Sequence, residues 1–370
     1  MKKVLYWIAR WGIRAVYAMY TVLPLRHRVV MMSRQSNSKK LALDMRLLKE
    51  ELLRQRPDLD IVVLCKRDDH SLRAFVENGF FMLTQLRYAA TSTVIVVDGY
   101  VPAVCIPNLR QEVWVLQLWH ALGGFKKFSL MTVGQPGGHS EDQARILCMH
   151  RNYDAIVSSG TKTSEIVGPA FGYPASRFLP LGLPRADSVL EPPKFDPEDE
   201  EALVDDGSVT RILYAPTLEN KQGAVEATFK EIQEAFADDD SIEVIFSAHP
   251  VSKLLSGGTK GSTPTIELMK RSDFVVTDYS SIIFEAALLG KKVLFLTPDI
   301  EDYKQRVGFI RNFPEDHPAT MAMSVSELAD KVHNLPQTAY DELQDDLMSY
   351  LDGCTPGSSS RIASEILKHV

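Results

Sequence analysis

The sequence predicts an α/β protein of two doubly wound domains, and three observations carry that expectation. Short, continuous β-branched runs alternate with stretches of helical periodicity, as parallel strands covered on both faces do. The alternation comes in two series, separated by the acid- and proline-rich segment EPPKFDPEDEEALVDDGS, Glu191–Ser208, which reads as a linker. The length, 370 residues, also exceeds what one core ordinarily organises.

Residues 1–28 stand apart from both series. Lys3, Trp7, Arg10, Arg14, Tyr17 and Thr21 recur every three or four residues and share one helical face, while Val4, Leu5, Ile8, Ala15, Val16 and Met19 take the others. Two arginines in mid-span are costly at a bilayer centre, and no small-residue cleavage site follows, so neither a spanning helix nor a signal peptide is expected. The expectation is an amphipathic helix lying in the plane of an anionic membrane surface. The alternative is a helix that packs on the body and shows its arginines to water.

The first domain is expected over 29–190, with strands at Val29–Ser33, Ile61–Cys65, Thr93–Gly99 and Val113–His120 and a helix at Ala42–Arg54 that ends before Pro57. After the linker, 191–208, the second is expected over 209–370. Its strands are Arg211–Thr217, Ile242–Pro250, Asp273–Ser281 and Lys291–Pro298, with a helix around Ala224–Ala237. Two such domains facing a cleft would place ligands beyond the carboxyl ends of their strands.

Composition narrows the function. The net charge of −7 conceals nine basic and no acidic residues in 1–40, which leaves 32 basic and 48 acidic side chains elsewhere, a balance of −16. So acidic a body is no nucleic-acid binder, and its basic arm needs another partner. Cys65, Cys105, Cys148 and Cys354 lie far apart without metal-binding spacing, which points to a reducing compartment and no structural metal.

Two stretches carry chemistry. In TDYSSIIFEAALLG, Thr277–Gly290, a buried strand runs into a helix with Ser280 or Ser281 as N-cap. Such a helix start suits an anion, and Glu285 one turn in suits a ribose diol; plain capping, with Glu285 answering the helix dipole, explains the same residues. In VLQLWHALGGFKKFS, Val115–Ser129, a strand ends on His120, followed by Gly123, Gly124, Lys126 and Lys127. His249 ends a strand of the second series in the same way. Histidine transfers protons near neutral pH, and the lysine pair suits a polyanion or plain solvent.

WHALGGFKKFS resembles a motif of the CDP-glycerol glycerophosphotransferases, the teichoic-acid polyol-phosphate transferases. So do LGLPRAD (Leu181–Asp187), YAPT (Tyr214–Thr217), the His-Pro at 249–250, TDYSS with an acid at 285, and DIEDYKQRVGF (Asp299–Phe309), all in the family's order. The resemblance implies a GT-B-like fold, no metal or cofactor, and a place at the cytoplasmic face of the bacterial cell membrane. It further implies transfer of glycerol or ribitol phosphate from a CDP-polyol to a hydroxyl of a lipid-linked polyanionic acceptor, with release of CMP. Carried over residue by residue, His120 is the general base and His249 its counterpart at the donor. Thr217, Asp278, Ser280, Ser281 and Glu285 hold the donor, and Gly123, Gly124, Lys126, Lys127, Arg185 and Asp187 serve the acceptor and phosphates. Leu218 and Glu219 stand where the family has an aromatic and an arginine, Ser247 where it has a basic residue, and Glu285 where aspartate is usual; Ala121 leans toward ribitol members. A glycosyltransferase using a nucleotide sugar and a non-catalytic binding homologue are the alternatives.

Overall fold

The β-branched runs become two all-parallel sheets. The computed structural model describes residues 2–34, 37–66, 72–193, 209–217, 222–247 and 264–370. His249, Leu218, Glu219 and most of the expected linker lie outside them.

The first sheet comprises β1 (Arg26–Ser33), β2 (Ile61–Cys65), β3 (Ser92–Val97), β4 (Trp114–Gln117), β5 (Ala155–Val157) and β6 (Phe178–Leu179), in the order β2-β1-β3-β4-β5-β6. The second comprises β7 (Thr210–Tyr214), β8 (Ile242–Phe246), β9 (Phe274–Thr277), β10 (Lys292–Leu296) and β11 (Met321–Ala322), in the order β11-β10-β9-β7-β8. Every strand of the α/β prediction is present. The short β5, β6 and β11 had too few residues to show a period.

Alternate residues of β1 and β3 feed two cores. Val30, Met32, Ile95 and Val97 join one cluster; Val29, Met31, Val94 and Val96 join the other. Parallel strands buried on both faces therefore read as unbroken apolar runs. Strand ends fall short of their sequence limits: β3 stops at Val97, before Asp98, and β4 at Gln117, three residues before His120.

Two compact units result, one of Met1–Ala121, Lys127–Asp187 and Asp352–Val370, the other of Leu122–Lys126 and Ser188–Leu351. Two segments depart from the expected boundaries. Asp352–Val370 was assigned with the second domain, yet its helix Ser358–Leu367 lies on α2 (Leu43–Gln55) of the first unit. Ile362, Ala363 and Ile366 bury beside Met45, Leu48 and Leu52 there. An apolar helical stripe announces that it will be covered, not by which sheet. Leu122–Lys126 goes the other way, because Phe125 is buried among Phe295, Phe309 and Phe313, with ring centroids 5.6–6.2 Å away.

The N-terminal residues form α1 (Lys2–Tyr20), against α3 (Leu72–Thr91) in the first unit. Its arginines turn inward: Arg14 Nε donates to Ile106 O at 3.0 Å and Arg10 Nη1 to Ile146 O at 3.3 Å, while Lys3 pairs with Asp142 at 3.1 Å on the surface. Tyr17 is buried, and its hydroxyl accepts from Arg110 N. The face left to solvent is the apolar one, with Ile8 and Trp11 each 62% exposed and Met19 70%. The alternative of arginines shown to water is thus reversed. No described helix is long and apolar enough to cross a membrane.

Candidate active site

Each unit carries a polar constellation at the carboxyl ends of its strands, and the two share one construction. In the first sheet, strand order reverses between β1 and β3; in the second, between β7 and β9. Such switch points are where doubly wound folds bind ligands. At the first, Ser33 Oγ donates to Asp98 Oδ2 at 2.7 Å. At the second, Thr217 donates to Asp278 twice, from N at 2.8 Å and Oγ1 at 2.9 Å. A hydroxyl at the end of the first strand and an aspartate just past the third occur in both. Ser33 and Asp98 were missed in the sequence. The signal was there: IVVDGY at the end of β3 parallels VVTDYS at the end of β9.

His120 is built from backbone up. Leu118 N still bonds Val97 O, but Trp119 then takes φ +57°, a left-handed conformation costly for a large side chain. Its buried ring, stacked on Phe128 at 5.1 Å, and a bond from Trp119 N to Gln117 Oε1 at 3.0 Å hold that turn. His120 leaves the sheet there, with Nδ1 3.1 Å from Asp98 O. A carbonyl only accepts, so Nδ1 carries the proton and the neutral ring keeps its lone pair on Nε2. Burial lowers the His120 pKa from its ordinary value, with Arg185 adding to that and Asp98 O opposing it. Asp98 itself is pushed up to about 6 by burial, and its Oδ1 has no hydrogen-bond partner among the described residues.

Arg185 and Asp187 sit on the helix Pro184–Leu190 and face built-in partners. Arg185 donates from Nε and Nη2 to buried Asp44 Oδ2 at 2.9 and 2.6 Å, and from its backbone N to Oδ1. Asp187 accepts from the backbone N of Gly357, Ser358 and Ser359 at 2.7–2.8 Å, capping the C-terminal helix. That cap is an architectural use for a residue expected at the acceptor.

In the second unit, the glycine loop and the serine helix start meet. A Cβ on Gly123 would stand 2.2–2.5 Å from the Phe284 ring, on the helix Ile282–Leu288. The glycine therefore makes room for Phe284 rather than for a ligand. Gly124 is also buried, Lys126 pairs through its backbone with Phe309, and Lys127 is exposed. Ser281 is the N-cap residue but makes no side-chain cap bond, and Ser280 Oγ only reaches Ile282 N at 3.4 Å. Glu285 is buried one turn in. Asp278 accepts from Thr217 and Tyr279, so it fixes the loop; burial raises its pKa. Tyr279 stacks on Tyr303 at 3.7 Å and donates to Asp299 Oδ1, which locks TDYSS to the Asp299–Phe309 element.

Two parallel α/β units of this kind define a GT-B-type protein, and solved structures agree. The wall teichoic acid polymerase TagF superposes over 99% of this chain and 96% of its own, with TM-score 0.67 at 18% identity. A UDP-N-acetylglucosamine 2-epimerase from Listeria monocytogenes, described as putative, covers 93% and 97%, with TM-score 0.61 at 16% identity. The sequence profile of the CDP-Glycerol:Poly(glycerophosphate) glycerophosphotransferases matches residues 15–368, and the chain belongs to that family of transferases. It is 28% identical over 338 residues to the teichoic acid ribitol-phosphate primase of Bacillus spizizenii, covering 85% of each chain. It is 26% identical over 249 residues to the teichoic acid glycerol-phosphate primase of Bacillus subtilis, covering 64% of each.

Proposed function

We propose that this protein transfers a polyol phosphate, ribitol or glycerol phosphate, from a CDP-polyol to a hydroxyl of a lipid-linked teichoic-acid-type acceptor. His120 Nε2 takes the hydroxyl proton as the oxygen attacks the polyol-bearing phosphorus. The pyrophosphate bond breaks and CMP leaves. The observation that carries this reading is the bond between His120 Nδ1 and Asp98 O, which sets the tautomer a general base needs.

Ser280, Ser281, Thr217 and Glu285 serve the donor side, with His249, and Lys126 and Lys127 meet anionic groups. A variant of TagF is described in complex with CDPG on the same fold, with TM-score 0.68 at 19% identity, which supports a CDP-polyol donor. Ala121 and the similarity to the ribitol-phosphate primase favour ribitol. The protein works as a peripheral enzyme at the cytoplasmic face of the bacterial membrane, held by the bare apolar face of α1.

Incubation with CDP-ribitol or CDP-glycerol and a lipid-linked acceptor should release CMP in step with acceptor extension. Release of UDP or GDP from a nucleotide sugar, with none from either CDP-polyol, would replace this reading by glycosyl transfer.

A further inference from the structure

Three arginines gather at the edge of the first sheet away from His120. β1 opens with Arg26 and Arg28, and the end of α3 supplies Arg87, Tyr88 and Thr91. With Leu23 they line a pocket of about 120 Å³. Asp98 and His120 follow the carboxyl ends of β3 and β4, whereas Arg26 stands at the amino end of β1. An eight-residue strand separates those edges by roughly 25 Å.

The pocket is built for an anion. Arg28 is only 7% exposed, and its Nε is buried without a hydrogen-bond partner among the described residues. Its Nη2 reaches Thr91 O and Oγ1 at 3.4 Å, and the guanidinium lies 4.9 Å from the Tyr88 ring centroid. Among the described residues, the one carboxylate paired with any of the three arginines is Asp60, 3.9 Å from Arg28 and 55% exposed. Burial lowers the Arg28 pKa, and repulsion from Arg26 and Arg87 adds to it. Three guanidiniums against one carboxylate 3.9 Å from Arg28 call for an oxyanion, and guanidinium forks match phosphate.

The surroundings select the phosphate. Leu23 lines the pocket, the adjacent Val22 is 84% exposed, and the apolar side chains of Met19, Trp11 and Ile8 continue bare along α1. A phospholipid offers a phosphate beside acyl chains in this way; a soluble phosphate has no use for the apolar run. We propose that Arg26, Arg28 and Arg87 form a pocket for the headgroup phosphate of an anionic phospholipid, with Leu23 and the bare face of α1 in the acyl region beside it.

The assignment rests on the membrane placement above, and its test separates the two. Partition of the full chain onto phosphatidylcholine vesicles with and without phosphatidylglycerol is compared for wild type, R26Q/R87Q and K39Q/K40Q. The last pair removes equal charge from exposed lysines of the same basic segment. R26Q/R87Q should bind the phosphatidylglycerol vesicles roughly thirty-fold more weakly, about 1 kcal/mol per arginine, and K39Q/K40Q by only a few-fold. Equal losses in the two variants, or none in R26Q/R87Q, would overturn the pocket and leave the membrane placement standing. Failure of the wild type to bind either vesicle would overturn both. Dihexanoyl phosphatidylglycerol below its micelle concentration should raise the Tm of the wild type and not of R26Q/R87Q. An equal rise with inorganic phosphate would make the pocket a free-phosphate site and refute the lipid assignment.

Discussion

His120 depends on groups that do no chemistry themselves. A left-handed Trp119 turns the chain out of the sheet, and the Asp98 carbonyl fixes the ring's tautomer. With Nε2 as base, His120→Ala should lower CMP release by two to four orders of magnitude, the usual span for a general base. Because burial depresses its pKa, the neutral form persists below the ordinary value near 6.5. The acid limb of kcat/KM should therefore fall below pH 6.5 and vanish from the residual activity of the variant; an unshifted limb in the variant would free His120 of that role. Asp98 shows the opposite sign. Its pKa rises on folding from the ordinary 3.8 to about 6, so its contribution to stability is greatest below pH 3.8 and is lost as pH climbs through 6. Above pH 6, a buried charge is being held. Asp98→Asn should then be more stable than wild type at pH 7.5, by on the order of 1–3 kcal/mol, with the gap closing toward pH 4 in denaturant titrations. A gap independent of pH would refute the buried charge.

At the scale of elements, the WHALGGFKKFS stretch was legible as important, but the packing around Gly123 was not. A sequence shows that a loop lacks side chains; only packing shows what occupies the room. At Gly123 the occupant is Phe284. Gly123→Ala forces a methyl group into an aromatic ring and should cost about 1–3 kcal/mol of unfolding free energy. Phe284→Leu in the same chain should recover part of that loss, a coupling that a double-mutant cycle measures. Strict additivity would mean the ring is not the obstacle. The longer strands, by contrast, could be placed from the sequence though not bounded, since burial on both faces is written as unbroken apolar runs, while β5, β6 and β11 are too short to show one. Arg185 and Asp187 were legible only through the resemblance of LGLPRAD to a family motif. Their partners, Asp44 and the start of the C-terminal helix, lie 141 and 170 residues away, beyond the reach of any local pattern.

For the whole molecule, charge and exposed apolar surface are arranged together. In the membrane placement proposed above, a body with a balance of −16 is repelled by an anionic bilayer, and the N-terminal segment, with nine basic residues in 1–40, has to overcome that. It has two means, the arginines around β1 and the bare face of α1. Removing residues 1–28 would test neither cleanly, because Tyr17 belongs to the core and Arg26 and Arg28 to β1. Ile8 and Met19 are a better probe, being 62% and 70% exposed. Ile8→Ser with Met19→Ser removes apolar area that water already touches, so Tm should stay within a degree or two. Each side chain contributes up to about 1.5–3 kcal/mol when fully buried, and less at a bilayer's edge, so vesicle binding should fall at least tenfold. High salt should weaken what remains, because arginine attraction is screened and apolar insertion is not. CMP release with a short soluble acceptor should hold while release with the lipid-linked acceptor drops. If co-sedimentation with anionic vesicles is unchanged in the double variant, the apolar face of α1 faces something other than a membrane.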